Sequence, residues 1–335
     1  MLNAPAASVD GGRDLPITVD DVRRAQARVR GVVVHTPLLR LRGPGIPATA
    51  SLWLKAETLQ LTGSFKIRGA YNKLAALSAE DRARGVIAYS SGNHAQGVAC
   101  AAQLLGIRAT IVMPEDAPPV KLAATRDWGA EVVLCAPGSE ARRQLAEALQ
   151  QEHGYVLVPP YDDPLIMAGQ GTATLEVLED LPDVDLLVLP CGGGGLLSGN
   201  ATALKALRPQ AQIVGVEPEL AADATASFQA GRVVQWPGAE TGRTVADGLR
   251  TQAIGARPWQ VIGRHVDAMV TVGELAILDA VRYLARHAHL VAEPSGAVTL
   301  AAVLSGQLDV TNRRSVLFIT GGNVEPAALA AILAG

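Results

Sequence analysis

Short β-branched apolar runs alternate along the chain with Ala/Leu-rich stretches of helical length, the pattern produced when parallel strands are joined by crossover helices. The runs Gly85 to Tyr89, Ala109 to Met113, Ala130 to Leu134, Asp185 to Leu189, Ile213 to Val216 and Ser315 to Thr320 read as strands. Their near-continuous apolarity predicts burial on both sheet faces, and the whole pattern predicts an α/β fold. Gly106 and Gly129 each fall between a helical stretch and a strand, where a helix ending in a left-handed residue prefers glycine because no Cβ clashes there. Near the start, Thr18-Val19-Asp20-Asp21 reads as a helix N-cap with acids in the first turn. The residues before it are expected to be loose.

Composition narrows the partners. At roughly 150 residues per domain, a chain of 335 argues for two domains or one large one. Hydrophobic residues make up 49% and charged ones 18%, which excludes the disorder signature of low hydropathy and high charge. The 29 Lys and Arg nearly balance 32 Asp and Glu, and aromatics are only 4%, so a basic groove with stacking platforms for nucleic acid is not expected. The expected ligand is small. Met1 to Asp14 lacks a signal-peptide core, and no stretch reaches about 18 uninterrupted apolar residues. A soluble, cytoplasmic protein with no membrane partner is the reading.

Cys100, Cys135 and Cys191 are too scattered for a disulfide framework. The close histidine pair, His287 and His289, is spaced so that on a helix the rings diverge, so a histidine zinc site is not expected. No internal repeat or low-complexity linker divides the chain, and Asp162-Asp163-Pro164 is the nearest thing to a boundary. The chain ends about a dozen residues after Gly321-Gly322-Asn323, too few for an appended domain of about 50 residues or more. Any regulation is expected to be internal.

Candidate chemistry collects at strand ends. Pro190-Cys191-Gly192-Gly193-Gly194-Gly195-Leu196 follows the run Leu186 to Leu189 and precedes a helical stretch. With no side chains in the way, backbone N–H groups converge on a phosphate and the helix adds its positive N-terminal end. A flexible turn is the plain alternative. The dinucleotide pattern GxGxxG fails by register, since starts at Gly192, Gly193 or Gly194 would require glycine at Leu197, Ser198 or Leu196. No GxxxxGK[ST] occurs either, so the phosphate belongs to something other than a dinucleotide or ATP.

In Gly63-Ser64-Phe65-Lys66-Ile67-Arg68-Gly69-Ala70 a lysine stands beside an aromatic at an apparent helix start. A lysine with the reference pKa of about 10.4 is protonated in water, whereas burial and positive potential free the amine to attack an aldehyde. Otherwise it is a solvated helix lysine. Ser90-Ser91-Gly92-Asn93-His94 follows the run Gly85 to Tyr89 and opens the helical segment Ala95 to Leu105. It gathers hydroxyls, an amide and unpaired N–H groups, which suits either a carboxylate seat or ordinary N-capping. Ser315 to Thr320 ends in Gly321-Gly322-Asn323, another hydroxyl with glycines. Ligands of open α/β sheets bind outside the carboxyl ends of the strands, so these turns can converge. A phosphate cradle, an aldehyde-reactive lysine, a carboxylate seat and a neutral hydroxyl are the contacts required by pyridoxal phosphate holding an amino acid.

On these residues the chain resembles the serine/threonine dehydratase and serine racemase family of fold-type-II pyridoxal-phosphate enzymes, nearest to short threonine ammonia-lyases without a C-terminal regulatory domain. The motifs that carry the resemblance are Ser64 to Ala70, Ser90 to His94, the glycine tetrad, Thr244-Val245-Ala246-Asp247-Gly248, Glu293-Pro294-Ser295-Gly296-Ala297 and Gly321-Gly322-Asn323. The resemblance implies a tryptophan synthase β-like architecture of two three-layer α/β/α domains with mostly parallel sheets and the cofactor in the cleft between them. Residues 1–60 and 160–335 would form the large cofactor-binding domain and 61–159 the small one.

Lys66 would then hold the cofactor covalently, Phe65 would lie against its ring, and Asn93 would hydrogen-bond the ring hydroxyl. Gly192, Gly193, Gly194 and Gly195 would bind the phosphate, and Thr320 would face the pyridine nitrogen. A neutral hydroxyl there does not keep that nitrogen protonated, so the ring is a weaker electron sink and elimination is favoured. Ser90, Ser91, Gly92, Asn93 and His94 would bind the substrate. The implied reaction is a β-elimination in which Lys66 removes the Cα proton, the β-hydroxyl leaves with a proton from the cofactor phosphate, and L-threonine or L-serine becomes a 2-oxo acid and ammonia.

The family leaves alternatives open. Ser91 corresponds to the serine that exchanges the Cα proton in racemases, or else it only caps a helix and touches the substrate carboxylate. Glu217 to Asp223 resembles the divalent-cation loop of serine racemases, implying Mg²⁺ or Ca²⁺ at Glu217, Ala221 and Asp223, with solvated acids as the alternative. Arg243 and Arg250 flank the Thr244 motif; a guanidinium there would hold a second carboxylate and suit 3-hydroxyaspartate, unless both are surface arginines. A β-replacement synthase usually reads Thr-Ser-Gly-Asn-Thr where this chain has Ser90 to His94, and a non-catalytic phosphate-binding protein has no use for Lys66. A homodimer or higher homo-oligomer is the assembly the family implies.

Overall fold

A computed structural model describes residues 14–335. Most of the segment expected to be loose, residues 1–13, lies outside the described residues. The strands are β1 (Leu38–Leu41), β2 (Ser51–Ala56), β3 (Val86–Tyr89), β4 (Ala109–Pro114), β5 (Glu131–Cys135), β6 (Val156–Leu157), β7 (Leu186–Pro190), β8 (Gln212–Pro218), β9 (Ala268–Val272) and β10 (Arg314–Ile319). They form a six-stranded sheet, β1-β2-β10-β7-β8-β9, and a four-stranded sheet, β5-β4-β3-β6. Every pairing is parallel except β1 with β2. This is the α/β fold that the apolar runs predict.

One expectation fails at the edge. The apolarity of β5 predicts burial on both faces, yet Leu134 is 43% exposed and only Cys135 of the strand is buried. The strand lies at the margin of its sheet, where the burial that makes central parallel strands uniformly apolar is incomplete. The helix caps follow the reading: Thr18 and Asp21 form a reciprocal capping box, and Gly106 and Gly129 have φ of 65° and 75°.

The helix Pro164–Asp180 is buried all the way round from Ile166 to Val177, the signature of a helix enclosed by protein rather than facing water. Glycines let its neighbours approach. A Cβ on Gly169 would stand 2.6 Å from the Arg68 carbonyl oxygen on the helix Lys66–Ala75, and one on Gly171 would stand 2.5 Å from the Gly199 carbonyl oxygen on the helix Gly195–Leu207. The central helix thereby ties the lysine helix to the glycine-tetrad helix. Asp162-Asp163-Pro164, the stretch nearest to a boundary, is tied to its neighbours as well. Asp163 caps the central helix through Leu165 and Ile166 N–H and pairs with Lys73 on the lysine helix. Asp162 accepts from Ala256 and Arg257 N–H at the start of the helix Ala256–His265.

Behind Lys66 sits a buried ionic cluster. The Arg68 guanidinium, fully buried, donates to Glu57 Oε1 and Oε2 at 2.8 Å each and to Glu176 Oε1 and Oε2 at 2.6 and 2.8 Å. Lys55 Nζ donates to Glu176 Oε2 and the Thr36 carbonyl at 2.6 Å. Against burial, which acts to raise it, Arg68 and Lys55 hold the Glu57 carboxyl below its usual range. The three cysteines are buried and free. Among the described residues no helix is long and apolar enough to cross a membrane.

Candidate active site

The carboxyl ends of β3, β4, β7 and β10 surround a cavity of about 700 Å³. Phe65, Lys66, Ser90, Ser91, Gly92, Asn93, His94, Gly192 to Gly195 and Thr320 all border it. The structure therefore brings these residues, expected to contact cofactor or substrate, around one cavity. Glu217, Ala221 and Asp223 lie apart from this lining.

Lys66 is placed by its backbone neighbours. Ser64 bridges to Gly321, and Phe65 N donates to the Thr320 carbonyl at 3.2 Å, pinning the helix start beside the end of β10. Gly97 of the helix Asn93–Leu105 presses on the same point, since a Cβ there would lie 3.1 Å from the Lys66 carbonyl carbon. Lys66 Nζ donates to the Pro160 carbonyl at 2.9 Å and lies 5.1 Å from the Phe65 ring centroid. Burial pushes its pKa down to about 8, with the Glu293 carboxylate pulling the other way. Roughly one amine in ten is then neutral at pH 7, against about one in three thousand at the ordinary value.

The glycine tetrad is held from outside. A Cβ on Gly193 would come 2.3 Å from the Tyr161 ring, one on Gly194 2.8 Å from Pro258, and one on Gly195 2.9 Å from the Tyr161 Cα. Gly194, at φ +87°, also takes a conformation that favours glycine. Pressed against Tyr161 and Pro258, the loop borders the cavity where the helix Gly195–Leu207 begins. This is a cradle for an anion. With an amine of lowered pKa and the Thr320 hydroxyl on the same cavity, these residues fit pyridoxal phosphate.

Ser90 to Gly92 make the opposite wall. Gly92 N donates to Ser90 Oγ at 3.2 Å, and Ser91 Oγ accepts from Arg142 Nη1 at 2.9 Å. His94 is buried with a ring nitrogen, Nε2, 2.9 Å from the Val158 carbonyl. Burial, with Lys66 nearby, pushes its pKa down to about 3, so the ring is neutral and Nε2 carries the proton donated to Val158.

Sequence reasoning missed several groups on this cavity. Arg142, on the helix Ser139–His153, has no carboxylate within ion-pair distance among the described residues. Glu293 accepts from Asn93 Nδ2 at 2.5 Å, and its carboxyl is pushed up to about 7 by burial and by Asp247, against Lys121, Asn93 and Lys66. Lys121 pairs across the cavity with Asp247 at 2.5 Å. Of Arg243 and Arg250, singled out for a second carboxylate, only Arg250 borders the cavity. Arg250 Nε and Nη2 both donate to the Thr244 carbonyl, and Arg243 donates to the Glu240 carbonyl.

The cation loop has a different character. Glu217, one residue before the end of β8, accepts from Ala224 N, Thr225 N and Thr225 Oγ1 at 3.0, 2.6 and 2.6 Å. Asp223 Oδ1 accepts from Thr251 Oγ1, while Oδ2 is buried with no partner. Burial, reinforced by Asp223, pushes the Glu217 carboxyl well up, and burial takes Asp223 to about 7. Two neighbouring buried carboxyls, one with an orphaned oxygen, have the chemistry that a hard divalent cation takes. Among the described residues no group of three His, Cys, Asp or Glu side chains is arranged to hold a metal.

The folded pKa of Asp223, about 7, exceeds its ordinary 3.8, so the folded state binds the extra proton and is favoured at low pH. That advantage is lost as pH rises from about 4 through 7. Chelated protein is therefore expected to lose thermal stability over this range, and Mg²⁺ or Ca²⁺ to raise Tm by several degrees more at pH 8 than at pH 5. An equal cation effect at both pH values would contradict this.

Residues 29–321 match the family described as pyridoxal-phosphate dependent enzyme. The chain is 45% identical to an L-threonine ammonia-lyase of Thermotoga maritima over 309 residues, covering 92% of this chain and 76% of that one. It is 41% identical to an L-threo-3-hydroxyaspartate ammonia-lyase of Saccharomyces cerevisiae over 318 residues, covering 95% and 97%. Its structure is similar to that of maize serine racemase, with a TM-score of 0.89 at 36% identity over 94% of this chain and 96% of the other. Cavity, cradle and lysine agree with these likenesses, and the chain belongs to the pyridoxal-phosphate dependent enzyme family.

Proposed function

We propose that this protein is a threonine/serine ammonia-lyase, converting L-threonine and L-serine to 2-oxo acids and ammonia. The observation that carries the reading is the Lys66 amine, lowered to a pKa of about 8, facing one cavity shared by an anion cradle and a polar helix start. Likeness to the Thermotoga L-threonine ammonia-lyase supports the substrate class. The division into a large unit, 1–60 and 160–335, and a small one, 61–159, is part of the same proposal. It is supported by the way β3 to β6 pair only with one another.

When bound, the cofactor supplies an electron sink for charge developing at the substrate Cα. The chain supplies the rest. N–H groups at Gly192 to Gly195 would hold the phosphate, and Phe65 and Thr320 would hold the ring. Ser90, Ser91 and Gly92, with the first turn of the helix Asn93–Leu105, orient the substrate carboxylate. Lys66 Nζ, neutral in a useful fraction of molecules, takes the Cα proton as general base. Neutral His94 adds no competing positive charge. The test is 2-oxo acid release from L-threonine, L-serine, D-serine and L-threo-3-hydroxyaspartate, with product chirality followed for serine. Release from the first two supports the reading; sulfide-dependent replacement product without 2-oxo acid would replace it with the synthase.

A second reading rests on Arg142. A partly buried guanidinium without a carboxylate partner is costly, and on the cavity beside Ser91 it is a group that a second substrate carboxylate could satisfy. Likeness to the Saccharomyces L-threo-3-hydroxyaspartate ammonia-lyase also favours the diacid. Arg142→Met is expected to lower kcat/KM for hydroxyaspartate about tenfold to a hundredfold more than for threonine. Equal losses on both substrates would remove the diacid reading.

A further inference from the structure

Asn93 borders the cavity with an amide whose two faces are chemically opposite, and the structure contains a chain of bonds that decides which face the ligand meets. The chain starts at a group that can only accept. The Thr62 backbone carbonyl receives one hydrogen of Asn323 Nδ2 at 2.9 Å, and the other hydrogen of that nitrogen goes to Asn93 Oδ1 at 2.8 Å. Asn93 Oδ1 is thereby fixed as the acceptor. Its Nδ2 turns the other way and donates to Glu293 Oε1 at 2.5 Å. One hydrogen of Asn93 Nδ2 is left over.

Glycines make room for this arrangement. A Cβ on Gly321 would stand 2.4 Å from Glu293 Oε1 and 3.0 Å from Asn93 Nδ2, and one on Gly63 would stand 2.5 Å from Asn323 Oδ1. Glu293 is further held by its own N–H, which donates to the Gly321 carbonyl at 3.0 Å. Turning the Asn93 amide over would set its oxygen against the Glu293 oxygen and its NH₂ against the NH₂ of Asn323. Both bonds would be lost at once.

We propose that Glu293 and Asn323 are positioning residues that hold the Asn93 amide in a single rotation, so that an N–H and never a C=O is turned to the ligand. The matching ligand group is an acceptor oxygen carrying negative charge, as on the deprotonated ring hydroxyl of pyridoxal phosphate. The inference rests on the proposed contact of Asn93 with that ring.

The test is titration of the cofactor-free protein with pyridoxal phosphate, reading both the dissociation constant and the absorbance maximum of the bound cofactor. Asn323→Asp sets an acceptor against Asn93 Oδ1 and drives the amide away from its single rotation, whereas Asn323→Leu only frees the amide. Asn323→Asp is expected to weaken cofactor binding by roughly tenfold or more, to do so more than Asn323→Leu, and to shift the absorbance maximum. Glu293→Gln keeps an oxygen for Asn93 and is expected to weaken binding less than Glu293→Leu; this pair decides the matter if Asn323→Asp does not fold. Asn323→Asp binding as well as Asn323→Leu, or Glu293→Leu binding as well as Glu293→Gln, would overturn the proposal. Failure of the unsubstituted protein to bind pyridoxal phosphate would instead overturn the reading on which it rests.

Discussion

Lys66→Ala is expected to lower 2-oxo acid release from L-threonine by roughly 10⁴-fold or more while leaving the fold intact. The Lys66 amine makes one hydrogen bond within the protein, to the Pro160 carbonyl, and stands at the cavity wall. Its removal takes one cation from the neighbourhood of Glu293, which keeps its bond from Asn93 and the charge of Lys121. The helix start is held by backbone contacts, Ser64 with Gly321 and Phe65 with Thr320, which the substitution does not touch. Retention of more than about 1% of the activity, measured with unfolding curves matching those of the unsubstituted protein, would mean that another group moves the Cα proton. Partial recovery with added small amines would locate the loss in the missing base rather than in a displaced helix.

The second large effect falls two residues further along the same helix. Arg68→Met is expected to destabilise the protein by about 3–5 kcal/mol, the usual consequence of removing one partner from a buried ion cluster. Glu57 would be left fully buried with Lys55 as its remaining nearby cation, and Glu176 would lose both guanidinium bonds. The urea midpoint should fall accordingly, and cofactor affinity with it, because the cluster joins β2 to the helices that carry Lys66 and Glu176. Arg68→Lys should recover only part of the loss, since an ammonium cannot serve two carboxylates in the planar fork that Arg68 uses. An Arg68→Met midpoint close to that of the unsubstituted protein would show that the cluster is not a main tie between these elements.

What could be read from the chain is what is local. β3, β4, β7, β8 and β10 announced themselves as apolar runs, each shifted at its ends by a residue or two. β2 did not, because Ser51-Leu52-Trp53-Leu54-Lys55-Ala56 carries a lysine whose burial depends on Glu176, 121 residues away. β6 has two residues, too few for any periodic signal. At the site, the glycine tetrad, Lys66 and Ser90 to His94 were legible because each motif carries its chemistry within a few residues. Arg142, Glu293 and Lys121 were not. Their roles come from contacts with Ser91, Asn93 and Asp247, at separations of 51, 200 and 126 residues. Arg142, proposed above for a second carboxylate, was hidden for the same reason, since its place on the cavity beside Ser91 shows only in the folded chain.

The central claim is that the amine of Lys66 is the group that holds the coenzyme. Borohydride reduction of the purified, pyridoxal-phosphate-loaded protein, followed by proteolysis and mass spectrometry, tests it directly. The account predicts a single stable pyridoxyl adduct on the peptide containing Ser64-Phe65-Lys66, absent from Lys66→Ala. An adduct on another lysine, or none under saturating coenzyme, would contradict it.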